Sequence, residues 1–520
     1  MSANPFPTIP AVRSFDPAAP ASPIARRRIP LTLASATMIV TLVAILARWI
    51  VFGNPLVHID EQFYLLVGDR MLHGAIPYVD IWDRKPIGLF LLFAGTRMLG
   101  GGGIWQYQIV ALIFVIATAM ILFAMARRVA GAAAGLGAAV LYVLYLNLAG
   151  GEGGQAPVWY NPVVAGAIAI IFFARGEAVR PGADLRRPGM AAMLLFGIAL
   201  QIKYSALFEG LFAGIALIGL SWRRGRRPAA LIADMVLWIA CALAPTAIVG
   251  IFYAAIGHFD DWLFANFTSI LLRGAEAPAS IRMHLAVMAL LVVPLVFAVP
   301  LRRWVGATPA SGRTRDDLRF LDAWAASAML GVVLFGTWYN HYALPLFAPL
   351  AVTAAPLVTR RAGRIYFGLL LIAAAGWGQH MLYRHVENRG DAATLAAATA
   401  AMAGHRNCIF VYDGMPAIYY TTHSCLPTPH LFPAHLESLN ERGATGIAEE
   451  DTVRAIMARR PDRVMTMEPA YPEENSVARA GLYRVLRSDY VERARYPNRA
   501  RSYVIYALKG SGGAAISTSR

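Results

Sequence analysis

Charge is scarce in this 520-residue chain. Asp, Glu, Lys and Arg supply 15% of its residues, against about 25% in a soluble globular protein. Hydrophobic residues supply 57%. That balance excludes a single soluble domain and a disordered chain. Lysine is nearly missing: Lys85, Lys203 and Lys509 are the only three, so almost all of the 47 cations are arginine. Cysteine is as rare. Cys241, Cys408 and Cys425 form no C-x-x-C pair and no zinc spacing. The alternation of a barrel strand is lacking, and so is any H-E-x-x-H metalloprotease signature.

What is present is a series of apolar blocks of roughly 18–25 residues, long enough to cross a hydrocarbon core. They predict a polytopic α-helical membrane protein with about eleven transmembrane helices. The spans fall near 31–52, 104–126, 129–148, 156–174, 189–204, 206–222, 229–256, 284–301, 320–337, 341–358 and 365–383. The apolar run 86–100 is too short to span and contains Arg97, so it reads as a helix lying at the interface. With the N-terminus inside, inner segments hold 22 arginines and the outer loops ahead of the C-terminal region hold 6 cations. This is the positive-inside asymmetry. Counting 86–100 as a span would invert everything after it. The net charge of +16 is therefore read as membrane topology, with the bilayer as partner and no nucleic acid. Residues 189–222 must cross twice in only 34 residues. That is a short hairpin with Lys203 near its tip and Glu209 beyond it, shaped to line a cavity open to the outside.

From about Arg384 the composition turns polar. Strand-like runs at 408–412, 463–467 and 503–508 alternate with helix-like runs at 392–403 and 451–460. The expected layout is a cytoplasmic tail at 1–30 and a transmembrane domain at 31–383 with its first outer loop at 53–103. A small extracytoplasmic α/β domain at 384–509 and a disordered tail at 510–520 follow. Cys408 and Cys425 share that outer domain, either as a disulfide or as two free thiols.

The first outer loop is the most densely charged stretch outside the arginine-rich inner segments. It reads His58-Ile-Asp60-Glu61-Gln-Phe-Tyr64, then Asp69-Arg70, then Pro77-Tyr78-Val-Asp80-Ile-Trp82-Asp83-Arg84-Lys85-Pro86. Solvated interfacial carboxylates and belt aromatics are the plain reading of such residues. The concentration of acids, cations and aromatics in one loop beside an apolar helix points instead to a site.

The pattern Asp60-Glu61-x-x-Tyr64, the turn Gly74-x-x-Pro77-Tyr78-x-Asp80, and Asp83-x-Lys85-Pro86 before an interfacial helix resembles the GT-C glycosyltransferases. It is most similar to their bacterial branch, related to protein O-mannosyltransferases, the lipid A aminoarabinose transferase and the rhizobial lipopolysaccharide galacturonosyltransferases. Trp338-Tyr339-Asn340-His341-Tyr342 and Asp413-Gly414-x-Pro416 agree with it. The resemblance implies an inner-membrane enzyme of a bacterium with its site on the extracytoplasmic face. It would move a sugar from a polyprenyl-phosphate donor to a cell-envelope acceptor by inverting displacement. Asp60 would be the base that takes the acceptor proton, and Glu61 a support or alternative base. Lys85 would contact the leaving phosphate, with Arg84 and Lys203 as lesser contacts. An ion pair of Lys85 with Asp83 or Glu61 that only fixes the loop is the alternative. Tyr64 and Asp83 belong to the same binding loop. Glu152, the one acid of the Gly-rich second outer loop, is either a further site residue or part of a flexible turn. His341 is either a site residue or a neighbour of the aromatic belt. No cofactor is predicted, and no metal, although Asp60, Glu61 and Glu152 could form an oxygen-rich set for a divalent cation. A transporter or flippase and a surface-polysaccharide polymerase or ligase are the rival classes.

Overall fold

The computed structural model describes residues 31–175, 184–307, 311–336 and 338–511. The expected tail at 1–30, and residues 512–520 of the expected C-terminal tail, lie outside the described residues. Helix α1 (Leu33–Arg48) starts at Thr32, whose side-chain oxygen accepts a hydrogen bond from the Ser35 amide at 3.1 Å. Helices α2 (Ile59–Leu72) and α3 (Ile87–Arg97) build the first long loop. Helices α4 (Ile104–Ala130), α5 (Ala132–Leu146), α6 (Ala156–Ala174), α7 (Arg186–Leu200), α8 (Leu207–Arg223) and α9 (Pro228–Ala255) follow. A short α10 (Phe259–Leu263) precedes α11 (Pro278–Trp304), α12 (Gly312–Phe335), α13 (Leu344–Ala354) and α14 (Arg361–Arg389).

Among the described residues, nine helical stretches are long and apolar enough to cross a membrane. Helices α5 and α7 account for the other two expected spans. At 15 residues each and about 1.5 Å per residue, they fall short of the core thickness. The 86–100 run is the 11-residue α3. Lipid-facing apolar side chains ring the bundle, among them Met38, Ile215, Ile248, Leu290 and Ile372. The centre is drawn tight by small residues. A Cβ at Gly135 of α5 would sit 2.7 Å from the Phe123 carbonyl oxygen of α4, so these helices meet backbone to backbone.

The C-terminal part begins with α15 (Ala392–Met402), opened by a capping box between Asp391 and Thr394. Strands β1 (Phe410–Val411), β2 (Arg463–Glu468), β3 (Tyr490–Pro497) and β4 (Ser502–Leu508) form one sheet of order β1-β2-β4-β3. β1 and β2 are parallel; β2 runs antiparallel to β4 with Met465 opposite Ile505. The β3–β4 hairpin carries a bulge between Glu492 and Ala494. Short helices α16 (Ala417–Thr421) and α17 (Ala434–Glu437) and longer α18 (Glu449–Ala458) and α19 (Ser476–Asp489) complete it. One core gathers Tyr412, Val453, Ile456, Leu482 and Leu486. Met465, Tyr503 and Ile505 join the core of the membrane helices. Cys408 and Cys425 are joined in a disulfide with their Cα atoms 5.0 Å apart. β3 was not foreseen in the sequence. It is an edge strand, and its Glu492, Arg493 and Arg495 hide the apolar alternation.

Candidate active site

Asp60 and Glu61 lie in the first turn of α2, where the unpaired amides of a helix N-terminus favour negative charge. Neighbouring residues on a helix point in different directions, and these two do so with consequence. Asp60 is half-buried, whereas Glu61 is fully buried. The Glu61 carboxyl faces the Gly154 amide and the Tyr107 hydroxyl without a well-aligned hydrogen bond to either. Gly153 is required there, since a Cβ on it would overlap the Glu61 oxygens.

The segment between α2 and α3 doubles back sharply. Tyr78 has φ +73°, and its amide donates to the Ile81 carbonyl at 2.7 Å. Asp80 ties the turn by accepting from the Ile76 amide at 2.7 Å. The Tyr78 hydroxyl then donates to the Lys85 carbonyl at 2.8 Å, fixing the backbone just before Pro86 starts α3. Lys85 lies among these groups and is only partly covered. Its Nζ lies 3.9 Å from Asp83 Oδ1 and 5.8 Å from the centre of the Tyr64 ring, and its side chain remains 31% exposed.

Three further elements converge on Asp60. Gln155, which precedes α6, donates from Nε2 to Asp60 Oδ2 at 2.8 Å. Lys203, between α7 and α8, places Nζ 4.1 Å from the centre of the Tyr342 ring. His341 leads into α13 beside Tyr342. Burial by itself would raise the Asp60 carboxyl, but Lys85 above all, with His341, Gln155 and Lys203, holds it below its ordinary value. Burial lowers Lys85, and Asp83 and Asp60 more than reverse that, so its ammonium is held on. Asp83 is pushed up by burial against the pull of Lys85 and Arg84. Burial drives Glu61 up to about 8 despite the Gly154 amide, with Glu152 adding to the rise.

Of the residues singled out in the sequence, Asp60, Lys85, Lys203 and His341 are thus within electrostatic reach of one another. Tyr64, Asp83 and Arg84 border them. Glu61 and Glu152 stand behind, in the protein interior. Glu152 accepts a 2.7 Å hydrogen bond from His385 Nδ1. Burial opposes its charge, yet His385 brings it down to about 2. This bond ties the second outer loop to α14. The three carboxylates therefore engage three different surroundings. Among the described residues no group of three or more His, Cys, Asp or Glu is arranged to hold a metal ion.

The C-terminal part covers the loop. The Trp82 amide donates to the Pro429 carbonyl at 3.0 Å, and its ring meets His430 and His435 at 5.1 and 4.7 Å between centroids. Arg84 Nη1 donates to Glu441 Oε2 at 2.6 Å, and Arg273 Nε lies 2.9 Å from Glu441 Oε1. Sequence reasoning passed over Arg273, Glu441, Gln155, His385 and Tyr342 as site residues. Arg273 was visible only as one of the few outer cations, and Glu441 carried no signal.

No protein-family model matches the chain, and no curated protein sequence matches it significantly. Solved structures do. ArnT from Cupriavidus metallidurans bound to undecaprenyl phosphate superposes with a TM-score of 0.58 at 14% identity, covering 93% of this chain and 99% of that one. The chain has the GT-C membrane fold. The same ArnT in the apo state gives a TM-score of 0.57 at 14% identity, with 93% and 100% covered. A GT-C fold is what the first-loop motif led us to expect, and the structural likeness extends over nearly the whole chain, C-terminal part included.

Proposed function

We propose that this GT-C protein transfers a sugar from a polyprenyl phosphate to a hydroxyl of a cell-envelope acceptor. The reading is carried by one observation: a half-buried carboxylate, Asp60, lies within electrostatic reach of the cations Lys85 and Lys203. ArnT, of the same fold, was solved with undecaprenyl phosphate bound, which supports a lipid-phosphate donor here.

In this mechanism the acceptor hydroxyl attacks the anomeric carbon from the face opposite the phosphate. The bond from oxygen to that carbon forms as the bond from the carbon to the phosphate oxygen breaks. Asp60 orients the hydroxyl and takes its proton. Its depressed pKa makes it a modest base that is always available, and Gln155 fixes its orientation. Lys85, with Arg84, Arg273 and Lys203 around it, balances the charge on the departing polyprenyl phosphate. Glu61, raised to about 8, is protonated at neutral pH and serves to seat α2 against the second loop rather than as the base.

The side bearing the C-terminal domain is assigned as extracytoplasmic, and the membrane as the bacterial inner membrane. The disulfide supports this, since such bonds persist in oxidising compartments, and so do the arginines of the opposite loops. A polyprenyl-diphosphate-linked oligosaccharide is the donor under the polymerase reading. Offering the purified protein a polyprenyl-phosphate sugar and a polyprenyl-diphosphate oligosaccharide separates the two. Lipid mass spectrometry of a deletion strain should show an accumulated polyprenyl-phosphate sugar; no change in that lipid pool would count against the proposal.

A further inference from the structure

Glu441 of the C-terminal domain reaches two cations beside the site. Its carboxylate is buried and lies between two guanidiniums from separate membrane-side segments: Arg84 of the first loop and Arg273 of the stretch ahead of α11. The approach is built on both sides. The Gly274 amide donates to the Asn440 carbonyl at 2.8 Å, and Arg84 Nε donates to Ser269 Oγ at 3.1 Å. Two guanidiniums this near one another repel, and a carboxylate between them is what lets both stay. The arrangement also leaves a donor over. Arg84 Nη2 is buried with no hydrogen-bond partner among the described residues, a costly state unless an acceptor arrives. Both arginines act electrostatically on Tyr342, as does Lys85, which puts the spare donor in the same charged neighbourhood as Lys85.

We infer that Glu441 is a positioning residue: it holds Arg84 and Arg273 as a paired clamp for the phosphate of the lipid donor. The C-terminal domain thereby completes the donor site without touching the reacting atoms. This rests on the donor reading above. A carboxylate in that place could also compete with the phosphate for the arginines. The two roles differ in sign, because removing a competitor tightens anion binding and removing a support loosens it.

The test is binding of a short-chain polyprenyl phosphate to the full-length protein in neutral phospholipid nanodiscs, followed by tryptophan fluorescence. Glu441→Gln should weaken binding about tenfold, the scale of one charge-assisted contact. Ser280→Ala removes a separate contact between α11 and the C-terminal domain, that with Glu473, and should leave affinity unchanged. In an Arg273→Gln background, Glu441→Gln should weaken binding less than it does in the wild type, because one of its two partners is already gone and only Arg84 is left for it to hold. Equal or tighter binding by Glu441→Gln, or full additivity with Arg273→Gln, overturns the inference. If Glu441→Gln cannot be obtained folded, Glu441→Asp keeps the charge and shortens its reach. About threefold weaker binding is then expected, and unchanged affinity overturns the inference. Wild-type protein that binds no polyprenyl phosphate overturns the donor reading and this inference together, whereas normal wild-type binding with an unaffected Glu441→Gln overturns this inference alone.

Discussion

Gln155 donates a 2.8 Å hydrogen bond to Asp60, and so ties the residue just before α6 to the first turn of α2. The bond fixes which carboxylate oxygen remains for a substrate. Replacing Gln155 by Leu removes a donor to a charged group, worth about 1.5–3 kcal/mol. Transfer should fall by about tenfold or more while the protein folds normally, as read by kcat and thermal melting side by side.

The pH profile of transfer should report Asp60. Its folded pKa lies below the ordinary carboxylate value, chiefly because Lys85 outweighs burial. The base is therefore active above that lowered pKa, and activity is lost only as pH falls through it. Lys85→Met removes the main opposing charge, so the acidic limb should move to higher pH. An acidic limb that stays in place in this variant would disprove the coupling. Asp60→Asn should lower kcat by about a hundredfold or more.

Glu61 is expected to behave in the opposite way. Its carboxyl rises from 4.5 to about 8, mainly through burial. A raised acid pKa costs stability as pH climbs from the unfolded value toward the folded one. Glu61→Gln mimics the protonated form and escapes that cost. The melting temperature of the variant relative to wild type should therefore rise steadily between pH 5 and pH 8. Most transfer activity should survive, in contrast to Asp60→Asn.

Gly153 and Gly95 form a paired test of packing. A Cβ at Gly153 would overlap the buried Glu61 carboxylate, whereas one at Gly95 in α3 meets nothing within 4 Å. Gly153→Ala should reduce folded yield or melting temperature, with a cost of about 1–3 kcal/mol. Gly95→Ala should be neutral or stabilising by about 0.5–1 kcal/mol, since it removes backbone freedom from a helix.

The Cys408–Cys425 bond closes a loop with a sequence separation of 17. Cys408→Ser should cost about 3 kcal/mol by the loop-entropy rule. Thiol-alkylation mass spectrometry should find both cysteines of the wild-type protein blocked until reductant is added.

Membrane crossing was legible because it depends on length and hydropathy alone. An apolar block of twenty residues has few other places to go, and all eleven expected spans coincide with helices, including two shorter than a full crossing. The interfacial α3 was legible for the converse reason: Arg97 and the glycines after it stop the run. The C-terminal sheet was read in part. β2 and β4 advertise themselves by apolar runs, while the edge strand β3 and helix α19 are written largely in arginine and glutamate. The first-loop motif marked Asp60 and Lys85 because charge is rare in such a chain, so a local concentration of it stands out.

Composition and local pattern by themselves determined a helical membrane protein, its crossings, and one loop charged enough to be a site. Which carboxylate stays partly accessible and which is sealed inside was decided only by the fold, because Asp60 and Glu61 are adjacent in sequence and part company through helix rotation and the glycine packed against Glu61. The partners Gln155, Arg273 and Glu441 are likewise tertiary. They lie 95, 213 and 381 positions beyond Asp60, and nothing local in an isolated glutamine, arginine or glutamate records which distant charge it will meet.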